Sequence, residues 1–401
     1  MKVREIVLEL EVRTEPIVRT LSGKLAPAVR QMRMRYAMYE GACYRTDRDH
    51  GPRSCAPDFP RAPLERFRVY TGEGAAGTYN HHAQIAKFKG RYHIAWSNGR
   101  VNEDVPGQGT MLAVSDDARK WSVIGTVVPC SVESGALRWT SGLYADSERM
   151  VIYGVQHCAT LDADAPGMRR FVEGKSRLDA HVSADGLAWT AHEGIAPGRT
   201  FMFEAPRLTR EGRLLAGGTQ DGKPVVLTWN PDDPAGPPDI TPMPPPTGLA
   251  SFPFGEASWY QTREGLILMW FRDEAASLRL FVAQSKDGGR TWTPPMLSDF
   301  PDSMSRVRAG SLSDGRCYLI GNAYPKLLDR MHLMVALSDD GVEFDRMYTL
   351  LDDPTAQRAF GLLKLHGYQY PVSLEDNGRL LVAYSVNKED IECAIVDVAG
   401  L

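Results

Sequence analysis

Six stretches of the chain repeat one pattern of apolar and polar positions: an apolar run, a short polar turn, then a second apolar run. They are "HAQIAKFKGRYHIAWS" (82–97), "SGLYADSERMVIYGV" (141–155), "APRLTREGRLLAGGT" (205–219), "ASWYQTREGLILMWF" (257–271), "AGSLSDGRCYLIGNAY" (309–324) and "YPVSLEDNGRLLVAYS" (370–385). Short β-rich runs bounded by Gly, Asp, Asn and Ser predict antiparallel hairpins. Their starts recur at roughly 50–65 residues, the length of a four-stranded propeller blade. Helical periodicity is nearly absent; "LAPAVRQMRMRYA" (25–37) is the best helix candidate.

A second repeat falls between these hairpins. "SDDARKW" (115–121), "SADGLAW" (183–189), "SKDGGRTW" (285–292) and "SDDGVEF" (338–344) each follow an apolar strand. The Asp is placed to accept backbone N–H bonds, the Gly to take a positive φ, and the aromatic to pack back under the turn. The fold this predicts is all-β, a single β-propeller of six or seven four-stranded blades spanning 1–401. Residues 76–401 carry six recognisable blades, and 1–75 complete a seventh or cap the ring. The Pro-rich "NPDDPAGPPDITPMPPPTG" (230–248) reads as an ordered inter-blade loop without regular structure, because the blade pattern resumes directly after it.

Composition narrows the class. With 401 residues, 43% apolar and 24% charged, the chain is ordinary for a globular protein, and its net charge of −4 argues against a nucleic-acid or anionic-membrane binder. No apolar run is long enough to cross a bilayer. The charged start, "MKVREIVLELEVRTEP", has no apolar signal region, which predicts a cytoplasmic location, or a secreted or periplasmic one should a leader precede it. The six cysteines are scattered without metal-type spacing and read as mostly free thiols, with a Cys43–Cys55 disulfide as the alternative. No cofactor is called for. "DADAPG" and "EDVPG" carry carboxylates without EF-hand spacing and leave bound Ca2+ as the alternative.

The turn pattern is that of the Asp-box, S-x-D-x-G-x-x-W, and through it the chain resembles the sialidase-like β-propellers. "SKDGGRTW" matches in full; the other three are one residue shorter, "SDDARKW" lacks the Gly, and Phe344 stands where Trp is usual. The resemblance implies that the boxes face away from the active site and carry no substrate information.

Blade geometry then sorts the candidates. Residues just before each first strand and just after each second strand should ring one central pocket. The ring includes His81, His82, Asn98, Arg100, Arg138, Trp139, His157, Glu256, Arg272, Arg306, Arg308, Tyr324, Tyr368, Tyr370 and Lys388. Such a set suits an acidic oligo- or polysaccharide, because Arg forks pair with carboxylates and aromatic faces with sugar rings. Adjacent strand residues alternate sides, so one of His81 and His82 is expected to face the pocket, His82 being preferred.

Three chemistries fit. β-Elimination beside a uronate needs a base, an acid and carboxylate neutralisation. His82 or His81 would act with Tyr324, Tyr370 or His157; Arg138, Arg272 and Arg308 would grip the carboxylate, and Trp139 would stack. "NHHA…WSNGRVNEDVPGQ" and "GYQYPVSLEDNGRLLVAYSVNKEDIE" look like propeller enzymes acting on uronate- and rhamnose-containing glycans, namely ulvan-lyase-like proteins, rhamnosyl-glucuronate lyases and a related rhamnosidase family. That resemblance implies a catalytic His at 81 or 82. A sialidase would instead need three Arg, a Tyr–Glu pair and an Asp acid, and Arg138, Arg272, Arg308, Tyr370 and Glu256 would supply the Arg and the pair. The F/Y-R-I-P motif usual before the first sialidase Arg is missing. A non-catalytic sugar-binding propeller is the third reading. Elimination is the leading expectation and hydrolysis its alternative.

Overall fold

The computed structural model describes residues 59–401 apart from 75–76, 162–168, 247–254 and 276. The helix candidate at 25–37 and the Cys43–Cys55 pair lie outside the described residues. Six antiparallel sheets form a six-bladed propeller, each sheet built on four consecutive ladder strands. Blade one is β2 (Tyr79–Phe88), β3 (Arg91–Gly99), β4 (Gly109–Ser115) and β5 (Ser122–Val128). Blade six is β24 (Tyr368–Asp376), β25 (Arg379–Val386) and β26 (Asp390–Asp397), with β1 (Leu64–Tyr70) as its outer strand. The amino-terminal side of the described chain therefore closes the sixth blade, pairing Leu64 with Val396 and Phe67 with Cys393, and no seventh blade forms from it. Among the described residues there is no α-helix, and none is long and apolar enough to cross a membrane.

The apolar core is six-part. Each buried cluster is shared by two neighbouring blades: Ile94, Trp96, Leu381 and Ile395 join blades one and six, while Tyr153, Phe203, Leu214 and Trp229 join two and three. Burying such faces between sheets is what fixes the ring, since neither blade can cover its inner-facing side chains alone.

All four Asp-box turns adopt the expected bonding. Asp117, Asp185, Asp287 and Asp340 each accept two backbone N–H groups at 2.7–3.0 Å. Where "SDDARKW" lacks Gly, Ala118 itself takes φ +61°. The turns join third to fourth strands, at the blade ends opposite the starts of the inner strands.

The Pro-rich segment differs from expectation. Asp239–Pro242 forms β15, the outer strand of blade three, paired through Val225↔Pro242 and Leu227↔Ile240. An edge strand needs only one row of ladder bonds, so proline at its end costs nothing there.

Candidate active site

Three inner strands are bulged at the same level of the ring. Register shifts fall between His81 and Gln84 in β2, between Thr140 and Gly142 in β6 (Ala136–Ala145), and between Gln369 and Val372 in β24. Bulges release a residue from the ladder and re-aim it. Here they turn His82, Ser141 and Tyr370 into a cavity of about 450 Å³. Seven of its nineteen lining residues, His82, Asp104, Met304, Leu328, Leu363, Tyr370 and Lys388, have φ between +53° and +62°. For bulky side chains this backbone costs about 1–3 kcal/mol each and gathers at ligand sites.

Tyr370 is the centre. Its hydroxyl accepts a hydrogen bond from Arg272 Nη1 at 2.8 Å and donates to Glu256, and the same Arg272 nitrogen reaches Glu256 at 3.0 Å. The guanidinium groups of Arg306 and Arg330 stand 5.8 and 6.0 Å from the Tyr370 ring centre. Burial pushes the Tyr370 hydroxyl well above its ordinary pKa, so it is neutral at neutral pH. Burial also acts to raise Glu256, but Arg272, the Tyr370 hydroxyl and Arg306 together outweigh it and hold the carboxyl below its usual range. Glu274, across Arg272 Nη2 at 3.4 Å, goes the other way: burial pushes it up to about 7. Two carboxyl groups on one wall thus differ in charge state, one an ionised base and the other a proton carrier.

The cationic side of the cavity is under-neutralised. Neither Arg306 nor Arg330 has a carboxylate within ion-pair distance among the described residues. Arg306 Nε and Nη2, Arg330 Nε and Arg272 Nε are buried without hydrogen-bond partners. Arg330 is held by the Ser305 hydroxyl and the Met304 carbonyl, neutral groups. Buried guanidinium groups without counter-charge are costly. An anionic ligand would offset that cost.

The blade-one wall carries both histidines. The register shift after His81 breaks strict alternation, so the two rings stand 4.5 Å apart although His82 is the one that lines the cavity. His82 lines the cavity with Nδ1 on the Ser97 hydroxyl at 3.1 Å. His81 is fully buried behind it, Nδ1 on the Ser385 hydroxyl at 2.7 Å and its ring 4.2 Å from that of Tyr370. Burial, then Lys388, lowers both pKa values, His82 to about 3, so both rings are neutral. Lys388 pairs with Glu103 at 2.6 Å, and Glu103 also accepts from the Tyr79 hydroxyl. Trp139 lines the cavity with its indole N–H on Asp104.

Of the residues expected from sequence, His82, Trp139, Glu256, Arg272, Arg306, Tyr370 and Lys388 line the cavity. His157 lies behind Trp139, ring centres 4.2 Å apart, with Nδ1 on Ser176. Arg138 is buried against Asp179 and Gln156. Arg308 binds Glu204 and Ser373 in a closed polar network with Arg207 and Ser258. Asn98 donates to Asn80, Arg100 is exposed, Tyr324 packs on His332, and Tyr368 bonds the Asp353 carbonyl; none of these four lines the cavity. Glu103, Asp104, Glu274 and Arg330 come from loops beyond the strand ends, where hairpin periodicity gives no signal. Arg330 sits in "KLLDRMH", nine residues past the strand end at Gly321.

Comparison with known proteins agrees with this architecture. A family model described as BNR repeat-like domain matches residues 112–382. A second, described as BT_1020-like, N-terminal beta propeller, matches 63–153. No curated protein matches the chain. Among solved structures, a sialidase aligns at TM-score 0.51 and 17% identity over 89% of this chain, which spans only 35% of that protein. The intramolecular trans-sialidase of Ruminococcus gnavus, in complex with oseltamivir carboxylate, aligns at 0.63 and 12% identity, covering 84% of this chain and 98% of that one. The sialidase of Trypanosoma rangeli, as its covalent intermediate with 2,3-difluorosialic acid, aligns at 0.59 and 12%, covering 85% and 60%. At such identities the likeness is one of fold.

Proposed function

This chain belongs to the BNR repeat-like domain family, and within that family we propose that it is a glycoside hydrolase acting on a sugar whose anomeric carbon bears a carboxylate, a sialate-like 2-keto acid. The observation that carries the reading is Tyr370, held between Arg272 and the ionised Glu256, with the unpaired Arg306 and Arg330 beside it.

The choice of nucleophile follows from charge. A carboxylate attacking an anomeric centre that carries its own carboxylate meets repulsion of about 4 kcal/mol at 4 Å and an effective dielectric of 20. A neutral tyrosine avoids it, and sialidases use one. In the first step the Tyr370 oxygen bonds to the anomeric carbon while its proton passes to Glu256. The bond to the leaving sugar breaks, and that oxygen takes the proton of Glu274. Water then attacks the anomeric carbon, giving its proton to the Glu274 carboxylate. Tyr370 leaves and recovers its proton from Glu256. Arg272, Arg306 and Arg330 hold the substrate carboxylate through both steps. The solved sialidases bind carboxylate-bearing ligands by their own descriptions, which supports the ligand class.

Release of 4-methylumbelliferone from sialate and related 2-keto-acid glycosides tests the reading. Turnover is expected, with Tyr370→Phe lowering kcat by about three orders of magnitude or more. Full activity in that variant would sink the proposal. A second reading, elimination beside a uronate, is favoured by one observation: His82 lines the cavity with its ring oriented by the Ser97 hydroxyl, where an acid–base group would stand. Ultraviolet absorbance of an unsaturated uronate on incubation with glucuronate-containing glycans, lost in His82→Ala, would select it over hydrolysis.

A further inference from the structure

Neither reading uses the two histidines together with Glu103. One ring nitrogen of His81, one of His82 and one carboxylate oxygen of Glu103 all lie within 4.8 Å of one another. We propose that these three side chains bind a divalent transition metal ion, of the zinc class, on the blade-one wall of the cavity.

Three features of the site support this. Both Nδ1 atoms are engaged on serine hydroxyls, Ser385 for His81 and Ser97 for His82, which leaves each Nε2 as the ligating atom. An oxygen partner on the second ring nitrogen is the usual way a metal-bound histidine is oriented. His81 Nε2 is wholly buried and has no hydrogen-bond partner in the protein. A polar atom in that position costs free energy unless something occupies it. Glu103 is steadied on both oxygens, by the Tyr79 hydroxyl at 3.1 Å and by Lys388 at 2.6 Å, as ligating carboxylates are.

The donor set decides the metal class. Two imidazoles and one carboxylate suit zinc and its neighbours rather than calcium or magnesium, which take oxygen ligands. Ligand atoms of a tetrahedral zinc site stand about 3.3 Å apart at Zn–N distances near 2.0 Å. The three side chains must therefore close by about 1 Å or somewhat more, a rotamer-scale adjustment. Three protein ligands leave at least one position open toward the cavity, where water or a substrate oxygen fits. A metal there would place positive charge on the wall where sequence finds no first-blade arginine motif. Lys388 opposes it by Coulomb repulsion, so the site binds more weakly than it would with a neutral residue at 388.

The test is metal binding, measured apart from catalysis, so that loss of the hydrolase reading would leave it intact. The full chain, free of any histidine tag and stripped with chelator, is titrated with Zn2+ by calorimetry and with Co2+ by visible absorption. One equivalent is expected, with ligand-field bands for Co2+ that Zn2+ displaces. His82→Ala and Glu103→Ala should each weaken binding by about 100-fold or more. The exposed His192→Ala should not change it, and Lys388→Met should tighten it several-fold. Should a ligand variant fail to fold, the Lys388→Met gain and the Co2+ spectrum of the unaltered chain still decide. The inference is overturned by absence of a one-equivalent site in the unaltered chain. It is equally overturned by unchanged affinity in folded His82→Ala and Glu103→Ala.

Discussion

Arg306 and Arg308 lie two positions apart and have opposite energetic roles. Arg308 shares Glu204 with Arg207 and bonds Ser373 through both Nε and Nη2, so its charge is matched inside the fold. Arg306 has buried nitrogens with no partner. Replacing each with Met should separate them. Arg308→Met should lose about 3 kcal/mol of stability, because its partners are left buried and unsatisfied. Arg306→Met should leave the melting temperature unchanged or raised, while KM rises about 10- to 100-fold through loss of charge-assisted bonds to the ligand. Thermal unfolding and steady-state kinetics on the two variants check both signs. Glu274 supplies the pH dependence at this scale. Its raised pKa means that the proton-bearing form dominates below about 7 and is lost as pH rises through that value. Hydrolysis of substrates with poor leaving groups should fall on the alkaline side of about 7, and Glu274→Gln should abolish that limb together with most of the rate. If Asp104→Asn removes the limb and Glu274→Gln does not, the acid sits on blade one instead.

Within a blade, the strand ends and the Asp-box turns set the geometry, and here sequence was most informative. The box turns carry their own chemistry, so their position follows directly from Ser, Asp and Gly. Gly341 shows why that Gly is fixed: with φ +74°, a Cβ would stand 2.6 Å from Thr262 Cγ2 and 3.1 Å from Cys317 Sγ. Gly341→Ala should therefore cost about 2–4 kcal/mol, read as an earlier unfolding midpoint at unchanged slope in denaturant. Site residues adjoining a strand, such as Tyr370, Arg272 and His82, were legible because the hairpin pattern dictates where a strand starts and ends. The bulges were not. No local residue announces that β2 shifts register after His81, so strict alternation placed the two histidines on opposite faces when their rings adjoin. Arg330, Glu103 and Glu274 lay beyond reach for a related reason, since a long loop's path over the pocket depends on packing against other blades. Arg138 and Arg308 illustrate the converse: their sequence positions suit the pocket, and nearby carboxylates, Asp179 and Glu204, claim them first.

At the scale of the whole ring, closure rests on β1. A propeller has no free edge between blades only while the first and last interfaces meet, and here the sixth blade borrows its outer strand from before the first. Val69 is buried and packs with Ile391 and Ile395, Phe67 extends that cluster, and Leu64 packs on the other side of the sheet against the core shared by blades five and six. Charge reinforces the pairing. Arg68 bridges Asp390 and Glu392, and Arg66 reaches Glu392 and Asp353, with Asp390 and Glu392 side chains only 4% and 7% exposed. Without β1, nearly buried Glu392 loses both of its cations while Asp390 keeps Arg358, and β26 becomes an open edge able to pair with another chain. A chain beginning at residue 71 should therefore melt about 10 °C or more lower. It should also self-associate in size-exclusion chromatography, whereas Val69→Ala in the full chain lowers the melting temperature only slightly and stays monodisperse relative to the parent. The active site responds through β24, whose Tyr370 is carried by the same sheet, so activity in the truncated chain should fall further than its folded fraction. A truncated chain with parental melting temperature and kcat/KM would mean that the remaining inter-blade packing holds the ring closed without the strand.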